Sequence, residues 1–256
     1  MLPLIHVTSG VSIPSYYLVL SVVVMACLFW ITHRAKKYNL SHAITLDLSL
    51  IIMVSGFIGA RLMHVFYENL TYYQEDYMRI LYFWDGGFVY FGGAILAAAL
   101  CVLFLEIKAP KDTERYLDLF APVTAFAYGF GRLGCLLAGC CYGKYCELPW
   151  AISGRHPTQV YAFLWEMGVV CILMGVESIG ANHRRPKSLG DAGSVFYLWM
   201  ILHGIGRLLM EAFREDFRGP SLGISISSWI SIALIALGLL LLLRRKPTRR
   251  GMALLS

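Results

Sequence analysis

Seven stretches of this chain are long and apolar enough to cross a hydrocarbon core about 30 Å thick, and that leaves few folds open. They cover approximately residues 14–32, 44–64, 88–107, 117–141, 158–178, 192–212 and 225–243. Backbone groups inside a bilayer find no water and must bond one another, which runs of this length do as helices. A hydrophobic fraction of 58% and a mean hydropathy of +0.63 exclude an ordinary soluble domain. The expected fold class is an all-α polytopic integral membrane protein. With no internal repeat, low-complexity tract or linker, residues 1–256 read as a single domain. The first apolar run has neither a basic leader nor a small-residue cleavage site, so a cleaved signal peptide is not expected.

The loop charges orient these spans. With the first end outside, 14 lysines and arginines fall in the inner segments against 5 in the outer ones. The inner set runs from Arg34, Lys36 and Lys37 through Arg184, Arg185 and Lys187 to a basic tail at 244–256. The bias predicts an N-terminus outside and a C-terminus in the cytoplasm. The net charge of +6 then reflects topology and anionic lipid, and no nucleic-acid partner is expected. Residues 65–87 mix aromatic and charged side chains, and read as an amphipathic segment lying in the outer interface.

Three arginines remain within the spans: Arg61, Arg132 and Arg207. A guanidinium at membrane depth costs roughly 2.5–3.5 kcal/mol on insertion scales, so it is normally retained for a task. Arg132 sits in YGFGRLGCLLAGCCYG, with five glycines around it that permit close backbone approach. All three arginines fall toward the outer ends of their helices. Such cations, without equal buried acids, imply an anion, and arginine forks suit a phospholipid phosphate. Arg207 and Glu211 are four apart on one helix and can pair, whereas Arg61 and Arg132 lack an acidic partner of that kind. Glu166 is expected to pair with an arginine, and His64 and His203 to be packing histidines. His156 stands at a loop-to-helix junction, where a catalytic role is open to it.

Seven cysteines include a cluster at Cys135, Cys140, Cys141 and Cys146. Its C-x4-C-C-x4-C spacing matches neither common zinc pattern, and adjacent cysteines chelate one ion poorly, so no metal and no cofactor are expected. A disulfide from Cys146 to Cys140 or Cys141 is the expected alternative in an oxidising compartment.

GRLGCLLAGCCYG, HPTQVY, GGFVYFGGAI and GRLLMEAFRED in one seven-span frame resemble the bacterial prolipoprotein diacylglyceryl transferase family. The resemblance covers most of the chain from about Ile13 to Arg218. It implies a cytoplasmic-membrane enzyme that moves the diacylglyceryl group of phosphatidylglycerol onto the lipobox cysteine thiol of a preprolipoprotein. A thioether and glycerol phosphate would be the products. By motif position it implies that Arg132 and Arg207 are catalytic. Substrate-binding positions would be Tyr16, Arg61, Gly92, Gly93 and Gly134. Gly143, Gln159, Tyr161 and Glu211 complete that set, and Asp118 matches a weaker motif position.

The chain departs from the family pattern at several places. Phe91 stands where many members carry a histidine, which leaves Tyr90, His156 or stabilisation of the thiolate by the arginines to serve in its place. Cys135 and Cys140 stand where asparagine and glutamate are common, and Ala162 stands where a glutamate is common. Two alternatives therefore stay open: a paralogue moving a lipid fragment to another acceptor, and a non-catalytic anionic-lipid binding or transport protein. The latter would not need so many polar residues facing the arginines.

Overall fold

The computed structural model describes residues 3–8, 11–68, 70–181, 192–215 and 223–244. Arg184, Arg185, Lys187, Arg218 and the tail from 245 onward lie outside the described residues.

The main helices are α1 (Ser15–Lys37), α2 (His42–Met63), α3 (Leu70–Glu75), α4 (Tyr90–Lys108), α5 (Thr113–Ala138), α6 (Thr158–Ala181), α7 (Ser194–Phe213) and α8 (Ile226–Leu243). All but the short α3 are long and apolar enough to cross a membrane, and the protein is a multi-pass membrane protein. Their ends follow local chemistry. Helix α1 outruns its expected end because Arg34, Lys36 and Lys37 fill its last turn, where cations complement the helix dipole. Ser41 and Ser225 cap α2 and α8 by accepting the N–H groups of Ile44 and Ser228. The carboxylate of Asp118, on α5, accepts N–H bonds from Gly193 and Phe196 and so caps α7 from another helix. That contact gives Asp118 an architectural task.

An antiparallel hairpin precedes α1, with β1 (Leu4–Thr8) and β2 (Val11–Pro14) paired Leu4 to Pro14 and Ile5 to Ile13. Sequence reading placed no strand there, although LIHVT and VSIP are rich in β-branched residues and flank a Ser-Gly pair.

The chain forms two compact units. In the unit of residues 32–116, α2 packs along α4. A Cβ on Gly59 would lie 2.5 Å from the Gly92 carbonyl oxygen, one on Gly92 would strike Gly59, and one on Gly93 would strike Gly56. These glycines let two backbones touch, which is how small residues bring membrane helices together. Between the two helices the chain runs through a turn of π-helix (His64–Glu68), α3 and two 3₁₀ turns (Tyr77–Leu81 and Phe83–Asp85).

The other unit, residues 1–31 and 117–256, holds α7 packed between α6 and α8. Its core joins Ala121 and Ala125 of α5 to Val169 and Leu173 of α6 and Val195 of α7. Alanines on α5 let these helices close up, and Trp165 closes the next layer by donating Nε1–H to the Leu202 carbonyl at 3.0 Å. Large apolar side chains such as Met25, Phe29 and Leu243 are more than 70% exposed. Exposure on that scale is costly in water and neutral against lipid.

Candidate active site

Helix α5 ends three residues before its expected stop, for a reason visible in its backbone. Gly139 adopts φ 76°, its N–H bonds the Leu136 carbonyl, and the N–H of Cys140 reaches back to Cys135 at 3.1 Å. This is a Schellman motif, which satisfies the last carbonyls of a helix and folds the chain over its final turn. Cys141 then takes a left-handed φ of 62°, a conformation that costs a non-glycine residue about 1 kcal/mol or more.

The first turn of α6 holds that reversal in place. Thr158 Oγ1 donates to the Cys141 carbonyl at 2.7 Å, and Gln159 Nε2 donates to the Cys140 carbonyl at 2.5 Å. Pro157 supplies no N–H, which the helix start does not need. The HPTQ motif thus clamps the exit of α5, and Gln159, expected to bind substrate, spends its amide on the chain itself. The loop continues as a small irregular ribbon. Gly143 N–H donates to His156 O at 3.1 Å, Lys144 N–H to Phe213 O at 2.8 Å, and His156 N–H to Lys144 O at 2.9 Å. A Cβ on Gly143 would lie 2.7 Å from both His156 Cβ and Phe213 O, so only glycine fits. His156 packs against Phe213 at 5.2 Å between ring centroids, with Nδ1 3.4 Å from the Tyr161 hydroxyl. The same hydroxyl accepts Trp150 Nε1–H at 2.9 Å.

Arginines surround this turn. Arg132 stacks over the ring of Tyr128 with its guanidinium carbon 4.7 Å from the centroid, and its Nη2 donates to the Tyr128 hydroxyl. Its partner one turn back is therefore a tyrosine and not an acid. Arg207 is 9% exposed; its Nη1 lies 3.5 Å from Glu211 Oε2, as the i,i+4 spacing predicts. Yet Nη1 makes no hydrogen bond although it is shut off from solvent. Arg132 and Arg214 lie within electrostatic range of Arg207 as like charges, with Glu211 opposing them. Tyr16 lays its ring 3.2 Å from where a Cβ on Gly134 would stand, within range of Arg132 and the cysteines.

Two residues depart from their expected partners. Glu166 pairs with His203, not an arginine: Oε1 and Nδ1 are 2.6 Å apart, and both side chains are buried. His203 also meets Tyr128 edge-on at 4.7 Å and stacks on Trp199. All seven cysteines are free, so the structure holds no Cys146 disulfide. Cys135, Cys140 and Cys141 instead gather, with sulfurs within 4.8 Å of one another.

Arg61, Tyr90, Gly92 and Gly93 belong to the other unit. Arg61 is buried, and every N–H of its fork is committed to a backbone carbonyl. Nε serves Ile80, Nη1 serves Gly86 and Gly87, and Nη2 serves Arg79 and Tyr82 at 2.8–3.2 Å, the Gly86 contact being tighter still. Such a residue organises a loop and has no donor left for an anion. Gly92 and Gly93 face α2, as described, and Tyr90 is exposed in the first turn of α4.

Sequence reading missed Arg214, Thr158 and Tyr128. Arg214 was counted as a loop charge, yet it is buried and bridges to Gly143. Its place seven residues after Arg207, on the turn that follows the helix, was the available signal. Tyr128 stands one helical turn before Arg132, and the same i,i+4 rule could have found it.

A family model described as prolipoprotein diacylglyceryl transferase matches residues 3–244. A phosphatidylglycerol–prolipoprotein diacylglyceryl transferase of Clostridium tetani is 31% identical over 254 residues, covering 93% of this chain and 96% of the relative. The corresponding protein of Streptococcus pyogenes serotype M5 is 32% identical over 241 residues, with 89% and 88% covered. A second such transferase of Clostridium perfringens is 27% identical, with 91% of both chains covered. With this match and the seven-span architecture around the GRLG stretch, the chain belongs to the prolipoprotein diacylglyceryl transferase family.

Proposed function

We propose that this protein transfers the diacylglyceryl group of phosphatidylglycerol to the lipobox cysteine thiol of a preprolipoprotein. The observation that carries this reading is the buried Nη1 of Arg207, without a hydrogen bond and with Arg132 and Arg214 close by. A cation cluster of this kind is stabilised by an anion, and a phosphodiester offers oxygens that accept from arginine forks.

In the reaction, the acceptor sulfur attacks the CH₂ that carries the phosphate. A C–S bond forms as the C–O bond breaks, and the electron pair leaves on the phosphate oxygen as glycerol phosphate. Charge grows on that oxygen in the transition state, so fixed donors in a dry site lower the barrier. Arg132 and Arg207 supply them. Glu211 holds Arg207 from its own helix, and Tyr128 holds Arg132. Tyr16 and Gly134 form a flat wall beside Arg132 that suits a glycerol backbone. His156, Tyr161 and Gly143, which cluster at the start of α6, are assigned to substrate contact in this reading. His156 is the candidate acid–base group of this unit, whereas Tyr90 belongs to the other. Gln159 acts by holding the turn, and Arg61, Gly92 and Gly93 by shaping the second unit.

The charge bias of 14 to 5 supports an N-terminus outside and a C-terminus in the cytoplasm, in the bacterial cytoplasmic membrane. The test uses purified protein in detergent, phosphatidylglycerol and a synthetic lipobox peptide. A diacylglyceryl mass gain on the cysteine peptide, absent from a serine control, is expected. Phosphatidylglycerol binding without any gain would contradict the proposal.

A further inference from the structure

Cys135, Cys140 and Cys141 bring three sulfurs within 4.8 Å of one another, and the transfer chemistry described above makes no use of them. Spacing alone argues against a shared ion, because neighbours such as Cys140 and Cys141 point apart along a regular backbone. The turn removes that objection. Its Schellman hydrogen bonds fold Cys140 back over Cys135, and the left-handed Cys141 re-aims the next side chain. That strained geometry is imposed from outside by Thr158 and Gln159, which grip the two carbonyls. A non-glycine residue held at such a cost points to function.

Tetrahedral Zn²⁺ with Zn–S bonds of about 2.3 Å sets its sulfurs about 3.8 Å apart. The observed spread closes to that by about 1 Å of side-chain rotation, well within cysteine's freedom. Cys140 is exposed and the other two are half-buried, so an ion has a way in and a seat. Three thiolates around a dication carry one net negative charge, and Arg132 and Arg214 lie within electrostatic range to offset it. Three protein ligands also leave the fourth position open, which is the pattern of zinc sites that act on a substrate.

We propose that Cys135, Cys140 and Cys141 hold a Zn²⁺ ion whose fourth position takes the acceptor thiol as a thiolate. This rests on the transferase reading given above. On loading, the three thiols release their protons to solvent as the metal enters. The acceptor R–SH then loses its proton to solvent as its sulfur joins the metal, since a coordinating thiol is deprotonated. That sulfur's electron pair attacks the CH₂ of the diacylglyceryl group, the C–O bond breaks, and glycerol phosphate carries the pair away beside the arginines. The neutral thioether is a weaker ligand than the thiolate and gives way to water or the next thiol. No redox change is involved, in keeping with Zn²⁺.

The experiment strips the purified protein with a chelator under reducing conditions and reloads it with Zn²⁺ or with Cd²⁺ as a spectroscopic substitute. Metal content is read by mass spectrometry and thiolate ligation by the Cd–thiolate charge-transfer band. About one metal per chain is expected, with affinity falling about tenfold or more in Cys141→Ser. The Cd²⁺ band should grow when a lipobox cysteine peptide is added and not with its serine form. Stripping should cut transfer about tenfold or more, with Zn²⁺ restoring it. Metal retention no greater than in a Cys135→Ser/Cys140→Ser/Cys141→Ser variant would overturn the proposal. So would undiminished transfer by stripped protein, or a disulfide within the trio in protein isolated from cells. A band that responds to the cysteine peptide while no transfer occurs with any metal would support the seat and overturn the transferase reading instead.

Discussion

Glu166 on α6 and His203 on α7 meet with Oε1 and Nδ1 2.6 Å apart, deep in the unit that carries Arg132 and Arg207. The imidazole is wedged between Trp199 and the edge of Tyr128, and Tyr128 in turn holds the Arg132 guanidinium. A buried acid and a buried histidine therefore fix, through one ring, the direction of an arginine expected to act in catalysis.

Removing the acid should unfix that chain of contacts. Glu166→Ala leaves the buried His203 ring without its hydrogen-bond partner, at a cost of about 1–3 kcal/mol. Glu166→Gln keeps a hydrogen bond to the ring and should lose less than half of that. Thermal unfolding in detergent measures both, and equal midpoints for wild type and Glu166→Ala would contradict the pairing's importance.

Gly143 should tolerate no side chain. An alanine methyl there meets His156 and Phe213 at 2.7 Å, and the overpacking costs typically 1–3 kcal/mol. Gly168 on α6 has no neighbour within 4 Å of its missing Cβ, so Gly168→Ala should be neutral or slightly stabilising. Unfolding midpoints and transfer rates of the two variants should diverge. Equal tolerance would mean that the loop after α5 is free to adjust.

Substitution of Arg61 should loosen a loop and leave lipid affinity largely intact. Neither Arg61→Lys nor Arg61→Ala can serve the carbonyls of residues 79–87 that the fork now satisfies, because an ammonium is a point donor with three protons. Limited proteolysis should cut both variants faster between Tyr77 and Gly87. A loss of phosphatidylglycerol binding with unchanged cleavage would instead make Arg61 a lipid ligand.

Much of the architecture is legible in the sequence because a bilayer permits so little else. Spans of the required length, Ser41 and Ser225 at helix starts, and the Arg207–Glu211 spacing all follow from local rules. What escapes is non-local. Nothing in the sequence around Glu166 says that His203 of the next helix faces it. Nor does the sequence around Arg61 announce that a loop 18 to 26 residues away will wrap its fork. Cys140 and Cys141 read as poor chelators until Gly139 turns the chain back over Cys135. The β1–β2 hairpin was legible and was passed over, because long apolar helices dominate the pattern beside it.

Gln159 offers a separate check on the clamp. Gln159→Leu removes the donor to the Cys140 carbonyl while keeping the side chain's size, and Thr158→Val does the same for Cys141. Amide hydrogen exchange should rise across Cys140–Lys144 in either variant, and more than additively in both together if they grip one turn. Unchanged protection would show that the turn holds itself.

The central claim is that guanidinium groups of Arg132 and Arg207 stabilise the departing phosphate. Its most direct measurement is the rate of diacylglyceryl transfer to a lipobox peptide at saturating phosphatidylglycerol, for Arg132→Ala, Arg207→Ala and Arg207→Lys. Both alanine variants should fall by about 100-fold or more, the usual loss when one transition-state donor is removed. Arg207→Lys should recover little of it, because an ammonium lacks the fork. An undiminished rate in either alanine variant would contradict the account.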